Sequence, residues 1–117
     1  MNQSLYLELD NKLIGVARNP YERVVALYKH SFYWIGFDKW LLEEKPKTQC
    51  SLYEDCDYIV HLENWREELE DLGVPTNNSF LEKVWISTDY KRWYTMKSLT
   101  LVSELYKEDI IRFGYSY

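Results

Sequence analysis

Glycine and proline are scarce in this chain of 117 residues, at four and three. That excludes collagen-like and Pro/Gly-rich disordered chains, and it makes each breaker that does occur informative about where an element stops. Cysteine is limited to Cys50 and Cys56, in the stretch CSLYEDC. This is neither a disulfide framework, a zinc spacing nor a Cys-x-x-Cys redox motif, and two free thiols in a reducing compartment are expected. Positive charge is in deficit, with fourteen Lys and Arg against nineteen Asp and Glu and a net charge of −5. Non-specific nucleic-acid binding needs a basic footprint and is not expected, so any anionic ligand must be held by a local basic site. No stretch approaches the roughly 20 apolar residues of a membrane helix, and the start MNQSLYLELD has no charged-then-apolar leader, so no membrane role and a cytoplasmic location are expected. The Asn-x-Ser matches at Asn2 and Asn77 have meaning only on a secretory route.

Aromatic residues are what the chain has in abundance. They make up 17% of it, with eleven Tyr and five Trp, beside 46% hydrophobic and 28% charged residues overall. Length and composition fit one soluble domain over residues 1–117 with a single modest core. Large rings help a short chain to fill such a core, and a surplus favours a groove or partner surface. Residues 34–40 and 85–93 are Trp-rich and could stack a sugar or purine, with core packing the more economical expectation.

Periodicity orders the elements. SLYLEL alternates Leu5, Leu7 and Leu9 onto one side, and Asp10-Asn11 is a turn signal. KLIGVAR reads as a buried strand carrying β-branched Ile14 and Val16. From Pro20 the residues Val24, Leu27, Tyr28, Ser31 and Ile35 recur at helical spacing, which predicts an amphipathic helix to about residue 34, broken at Gly36. FDKWLLEE predicts a short helix before Pro46, and KPKTQCSLYEDC a loop. DYIVHLE is a second strand. Asn64-Trp65-Arg66-Glu67 reads as a capping box for a helix in WREELEDL, closed by Gly73, and Asn77-Asn78-Ser79 is turn material. Leu99, Val102, Tyr106, Ile110 and Phe113 form one stripe, which predicts a single long helix over 95–113 stopped by Gly114. Strands alternating with helices predict an α/β domain of two or three strands with a parallel pair.

The stretch ARNPYERVVALY, residues 17–28, carries the chemistry. Asn19 suits the N-cap, Pro20 the first helical position, and Glu22 the third position of a capping box. No helix rule requires Arg18. It stands where a strand ends and a helix begins, the place where open α/β sheets bind ligands, and a guanidinium there offers a planar fork to phosphate or carboxylate. The alternative is that Arg18 pairs with Glu22 and does nothing more. Candidate bases are His30, His61 and Glu63, the last two alternating onto one face of the second strand, where they could make a base pair or a metal fragment, with a half-buried polar pair the more economical expectation.

RNPYERVVALY resembles the nucleotide-binding segment of sulfotransferases that use 3′-phosphoadenosine 5′-phosphosulfate. The family pattern there is Arg-x-Pro-x-x-Arg-x-x-Ser-x-Tyr after a strand, with the first Arg and the Ser holding the 3′-phosphate. DYIVHLENWREEL is similar to the family's later strand and following helix, and LTLVSELYKEDIIRFGY to the terminal helix of carbohydrate and related sulfotransferases. The three blocks occur in the family's order and cover roughly residues 13–115. The resemblance implies a partial P-loop-like fold, corresponding to the C-terminal half of a sulfotransferase, with a long C-terminal helix.

It further implies that the nucleotide donor is the cofactor, held by Arg18, by Arg23 or Lys29, and at position 26, where Ala26 replaces the family's Ser. The implied reaction is sulfuryl transfer to a hydroxyl, on a carbohydrate for instance. Residues 1–12 carry no Gly-rich phosphosulfate loop. The chain given is therefore expected to be inactive alone and to have its sheet completed by a partner chain or a second copy. The second reading is a non-catalytic binding module that keeps the fold and a weakened anion site.

Overall fold

The computed structural model describes residues 5–31, 34–76 and 79–117. Its first two strands are β1 (Tyr6–Leu9) and β2 (Lys12–Ala17), an antiparallel hairpin in which Leu7 lies opposite Ile14. Asp10 and Asn11 make the two-residue turn, both at positive φ (49° and 65°), a conformation that Asn and Asp tolerate best after glycine. The third strand, β3 (Tyr58–His61), pairs parallel to β2 with Val16 opposite Val60, so the described sheet is three-stranded and mixed, in the order β1-β2-β3. Gly15 at its centre has no room for a side chain. A Cβ there would meet Tyr53 Cγ at 2.8 Å and Cys56 Sγ and Ile59 Cδ1 at 3.0 Å.

Helix α1 (Pro20–Lys29) leaves β2 almost directly, and α2 (Phe37–Glu44) ends on Lys45 in the left-handed conformation. The expected extension of α1 to about residue 34 does not occur. His30 caps the helix, and both the N–H and the hydroxyl of Ser31 bond back to the Tyr28 carbonyl, turning the chain out. Tyr28 in turn donates its hydroxyl to Ile35, drawing the connection across the helix end.

The stretch read as a loop contains a one-turn helix, α3 (Gln49–Leu52). Thr48 caps it locally, and the carboxylate of Asp109 accepts from the N–H groups of both Gln49 and Cys50, a contact that no local pattern announces. Beyond β3, a 3-10 turn over Leu62–Asn64 runs straight into α4 (Trp65–Asp71), closed as expected by Gly73 at φ 74°. Because that turn already supplies the approach to α4, Asn64 makes no side-chain cap, and the expected capping box is not formed. Asn77 and Asn78 of the expected turn lie outside the described residues, and Ser79 opens the short helix α5 (Ser79–Glu82). A second 3-10 turn spans Tyr90–Trp93.

The expected single C-terminal helix is two: α6 (Met96–Leu105), opened by a Thr95/Ser98 capping box, and α7 (Lys107–Phe113), closed by Gly114 at φ 74°. Tyr106 separates them at φ −113°, ψ 23°. Its ring is buried and its hydroxyl is tied to the Pro46 carbonyl, while Asp109 one turn on is tied to α3. The helix is interrupted where these two anchors hold it.

Packing divides into three clusters. One joins a face of the sheet to α4 and α5 through Leu7, Ile14, Val16, Val60, Leu62, Trp65, Leu69 and Leu81. A second joins α1, α2 and α6 around Tyr21, Val24, Val25, Phe37, Trp40, Leu41, Val102 and Tyr106. A third sets Ala17 against Cys50, Tyr53 and Phe113. Many of the rings are thus core, with Trp34, Phe80 and Trp85 among the exposed exceptions. Among the described residues no helix is long and apolar enough to cross a membrane.

Candidate functional site

β2 and β3 run in parallel and end side by side at Ala17 and His61. The polar residues of interest gather at these two ends. Gln49 holds the main chain of Arg18 like an extra strand, its Oε1 accepting from Arg18 N and its Nε2 donating to Arg18 O, each at 2.8 Å. Asn19 then caps α1 through its side-chain oxygen, which accepts from Tyr21 N at 3.0 Å, and Pro20 takes the first helical position. That half of the expected cap stands. The other half does not, because Glu22 is drawn away.

Glu22 is clamped by Arg18. Nε donates to Oε1 at 2.8 Å and Nη2 to Oε2 at 2.5 Å, a fork-to-fork pair with side chains only 12% and 4% exposed. Arg18 Nη2 also reaches the Trp85 carbonyl at 2.9 Å, and Glu22 Oε2 also accepts from Ser87 N at 2.9 Å. The pairing alternative for Arg18 is therefore realised. Whether the guanidinium can also serve an incoming anion depends on how readily it leaves Glu22.

The N–H that Glu22 was expected to cap belongs to another carboxylate. Glu63, in the 3-10 turn after β3, accepts from Asn19 N at 2.9 Å through Oε2 and from the Tyr115 hydroxyl at 2.5 Å through Oε1. A negative group does sit at the N-terminus of α1, as the helix dipole favours, but the chain supplies it. Burial, and after it the bond and charge of Glu63, push the Tyr115 phenol well above its usual range, so it remains a donor. His61 and Glu63 do not form the expected pair. The strand stops at His61, its alternation goes no further, and His61 turns to Glu68 at 2.7 Å.

The other expected site residues lie along or inside α1. Arg23 is 2% exposed, and desolvation lowers its pKa, with Tyr106, Tyr53 and Asp109 partly restoring it. Ala26 is 4% exposed. Lys29 donates to Asp89 at 2.7 Å and Ser87 at 3.2 Å and lies within 5.3 Å of the Trp85 and Trp93 ring centroids. Glu22, Ala26 and Lys29 follow one another along a helical face, and residues 85–89 are tied to the first and last of them. That strap covers the face on which position 26 would meet a phosphate. His30 packs edge-on against Trp85, with ring centroids 5.2 Å apart.

Four contributors were not foreseen. Gln49, Glu68 and Ser87 carry no local signal, being ordinary residues until the fold sets them beside Arg18, His61 and Glu22. Tyr115 belongs to the C-terminal block LTLVSELYKEDIIRFGY, which by itself does not reveal its partner. No family model, curated protein or solved structure matches this chain.

Proposed function

We propose that this chain is a sulfotransferase-type module whose strand-end site takes the 3′-phosphate end of the nucleotide donor in competition with its own carboxylates. One observation carries the reading. The three blocks on which the resemblance rests meet at a single point, where Asn19 of the first bonds Glu63 of the second, and Glu63 bonds Tyr115 of the third. That point is the C-terminal end of a parallel strand pair, where α/β sheets hold ligands.

The residues that would hold the donor's 3′-phosphate are already engaged. Arg18 would have to exchange Glu22 for phosphate, Glu63 would have to withdraw from Asn19 N, the strap of residues 85–89 would have to lift from position 26, and Ala26 offers no hydroxyl. Two of the three candidate bases are engaged as well, His61 by Glu68 and Phe113 and Glu63 by Asn19 and Tyr115, while the His30 ring packs edge-on against Trp85. What the chain's own residues supply is therefore a seat for the nucleotide, and no transfer step is derived from them. The same engagement favours the second reading, a non-catalytic binding module that keeps the fold and whose anion site is weakened because Arg18 and Glu63 already hold partners within the chain.

Calorimetric titration with adenosine 3′,5′-bisphosphate separates the two. The sulfotransferase-type reading expects weak binding, lost in Arg18→Ala. It should be tightened in Glu63→Gln, which removes the competing charge, and, where the ligand lifts the 85–89 strap, by roughly two- to tenfold in Ala26→Ser, for one restored hydrogen bond of about 0.5–1.5 kcal/mol. No heat with wild type, Glu63→Gln or Ala26→Ser would leave the binding-module reading.

A further inference from the structure

His61 closes β3, and its ring is held from two sides. Nδ1 lies 2.7 Å from Glu68 Oε1 on α4, and Nε2 lies 2.9 Å from the carbonyl oxygen of Phe113 at the end of α7. The second Glu68 oxygen accepts from the His61 main-chain N–H at 3.1 Å. A carbonyl can only accept, and so can an ionised carboxylate. Both ring nitrogens must carry protons for both contacts to be hydrogen bonds, so the geometry is that of an imidazolium. A neutral ring keeps one proton, and the charge-assisted bond to Glu68 retains it. Nε2 would then turn a lone pair toward the lone pairs of the Phe113 carbonyl. That contact is the one that fails.

The chain beyond Phe113 lies over the site. Gly114, at φ 74°, swings it back toward the strand ends. The Tyr115 hydroxyl donates to Glu63 at 2.5 Å with the Ala17 carbonyl 3.3 Å away, and Ser116 O accepts from Asn19 Nδ2 at 3.0 Å. The Tyr117 ring stands edge-on to Tyr21, with centroids 5.3 Å apart. Residues 114–117 thus cross the N-terminus of α1, and their root is held twice, by the Ile110 carbonyl, which accepts from Gly114 N and Tyr115 N, and by His61 at the Phe113 carbonyl.

We propose that His61 is a proton-operated latch, bracing residues 114–117 across the N-terminus of α1 while its ring is doubly protonated and loosening their root, then held by the Ile110 carbonyl alone, when it loses a proton. The device rests on the chain's own contacts and does not require the nucleotide reading. The charged groups facing the ring are Glu68 from α4 and Glu63 from the turn after β3, and both favour the cation. The tail contributes the Tyr115 ring at 5.6 Å, and from the β2–α1 junction the field of Arg18 reaches the Tyr115 hydroxyl. Partial burial by itself would lower the His61 pKa, but the bonds to Glu68 and Phe113 and the two carboxylate charges outweigh it, and the net shift is upward. A group held protonated in this way stabilises the folded chain fully below its unfolded pKa of about 6.5, and the contribution is lost as pH rises through the raised folded value.

The test is nuclear magnetic resonance on the intact chain between pH 5 and 9. Long-range nitrogen–proton spectra of the imidazole report its protonation, and the amide signals of Gly114 and Tyr115 report the tail. The expected result is a doubly protonated ring at low pH, a midpoint above the ordinary value of about 6.5, and tail signals that follow the same midpoint. In Glu68→Gln the carboxylate is gone and the midpoint should fall, carrying the tail transition with it. A single neutral tautomer already present at pH 5.5 would overturn the latch, and so would Gly114 and Tyr115 signals that stay still while His61 titrates. Both readings come from the unmodified protein, so an unstable variant does not rescue the idea.

Discussion

Removing the Arg18 side chain is the perturbation that asks most of the structure. In Arg18→Ala, Glu22 stays where it is, 4% exposed, with Ser87 N as its remaining donor of the three named above, and the Trp85 carbonyl loses a donor as well. Breaking a buried ion pair from one side costs about 3–5 kcal/mol, because a charge is left behind without its partner. Against the roughly 5–15 kcal/mol that holds a domain of this size together, that is a large fraction. Urea unfolding followed by tryptophan fluorescence should show a midpoint lower by at least about 1 M with the slope unchanged. Arg18→Lys keeps the charge but not the fork and should fall between the two. Arg18→Met with Glu22→Leu removes both charges and should recover most of the loss, less about 1 kcal/mol for the Ser87 N–H left without its acceptor. A loss below 1 kcal/mol in Arg18→Ala, the scale of an exposed surface pair, would refute the reasoning. It would mean that the pair is well solvated and Arg18 easily available to an anion.

Gly15→Ala forces a Cβ to within 2.8 Å of Tyr53, whose hydroxyl is pinned to Val16 O and accepts from Leu5 N. The ring cannot slide without breaking those bonds, so overpacking of about 1–3 kcal/mol is expected, read as a lower thermal midpoint. Gln49→Leu removes both side-chain bonds to the Arg18 main chain from a fully buried position. A destabilisation on the order of 2 kcal/mol or more is expected in the same assay, since buried peptide groups lose their partners. A change of a few tenths would show that water replaces the amide.

The sequence by itself determined the elements whose causes are local. The β2 strand, the Asp10-Asn11 turn, the Asn19–Pro20 start of α1 and the stops at Gly73 and Gly114 were all legible, because dihedral preference and side-chain spacing act over a few residues. So was the parallel pairing of β2 with β3, which follows from strands alternating with helices. Tertiary structure decided the rest. It divided the C-terminal helix at Tyr106, whose hydroxyl is held by the Pro46 carbonyl, and it built α3 because Asp109 arrives to accept two of its N–H groups. It also chose between the two fates open to Arg18. The glutamate four residues on was visible in the sequence, but what holds the pair dry is the Trp85 carbonyl and Ser87 N–H, brought in from a segment far along the chain. The seat at the head of α1 went to Glu63 in the same manner. A helix N-terminus advertises its need for a negative group locally, and only the folded chain settles which carboxylate comes close enough to answer it.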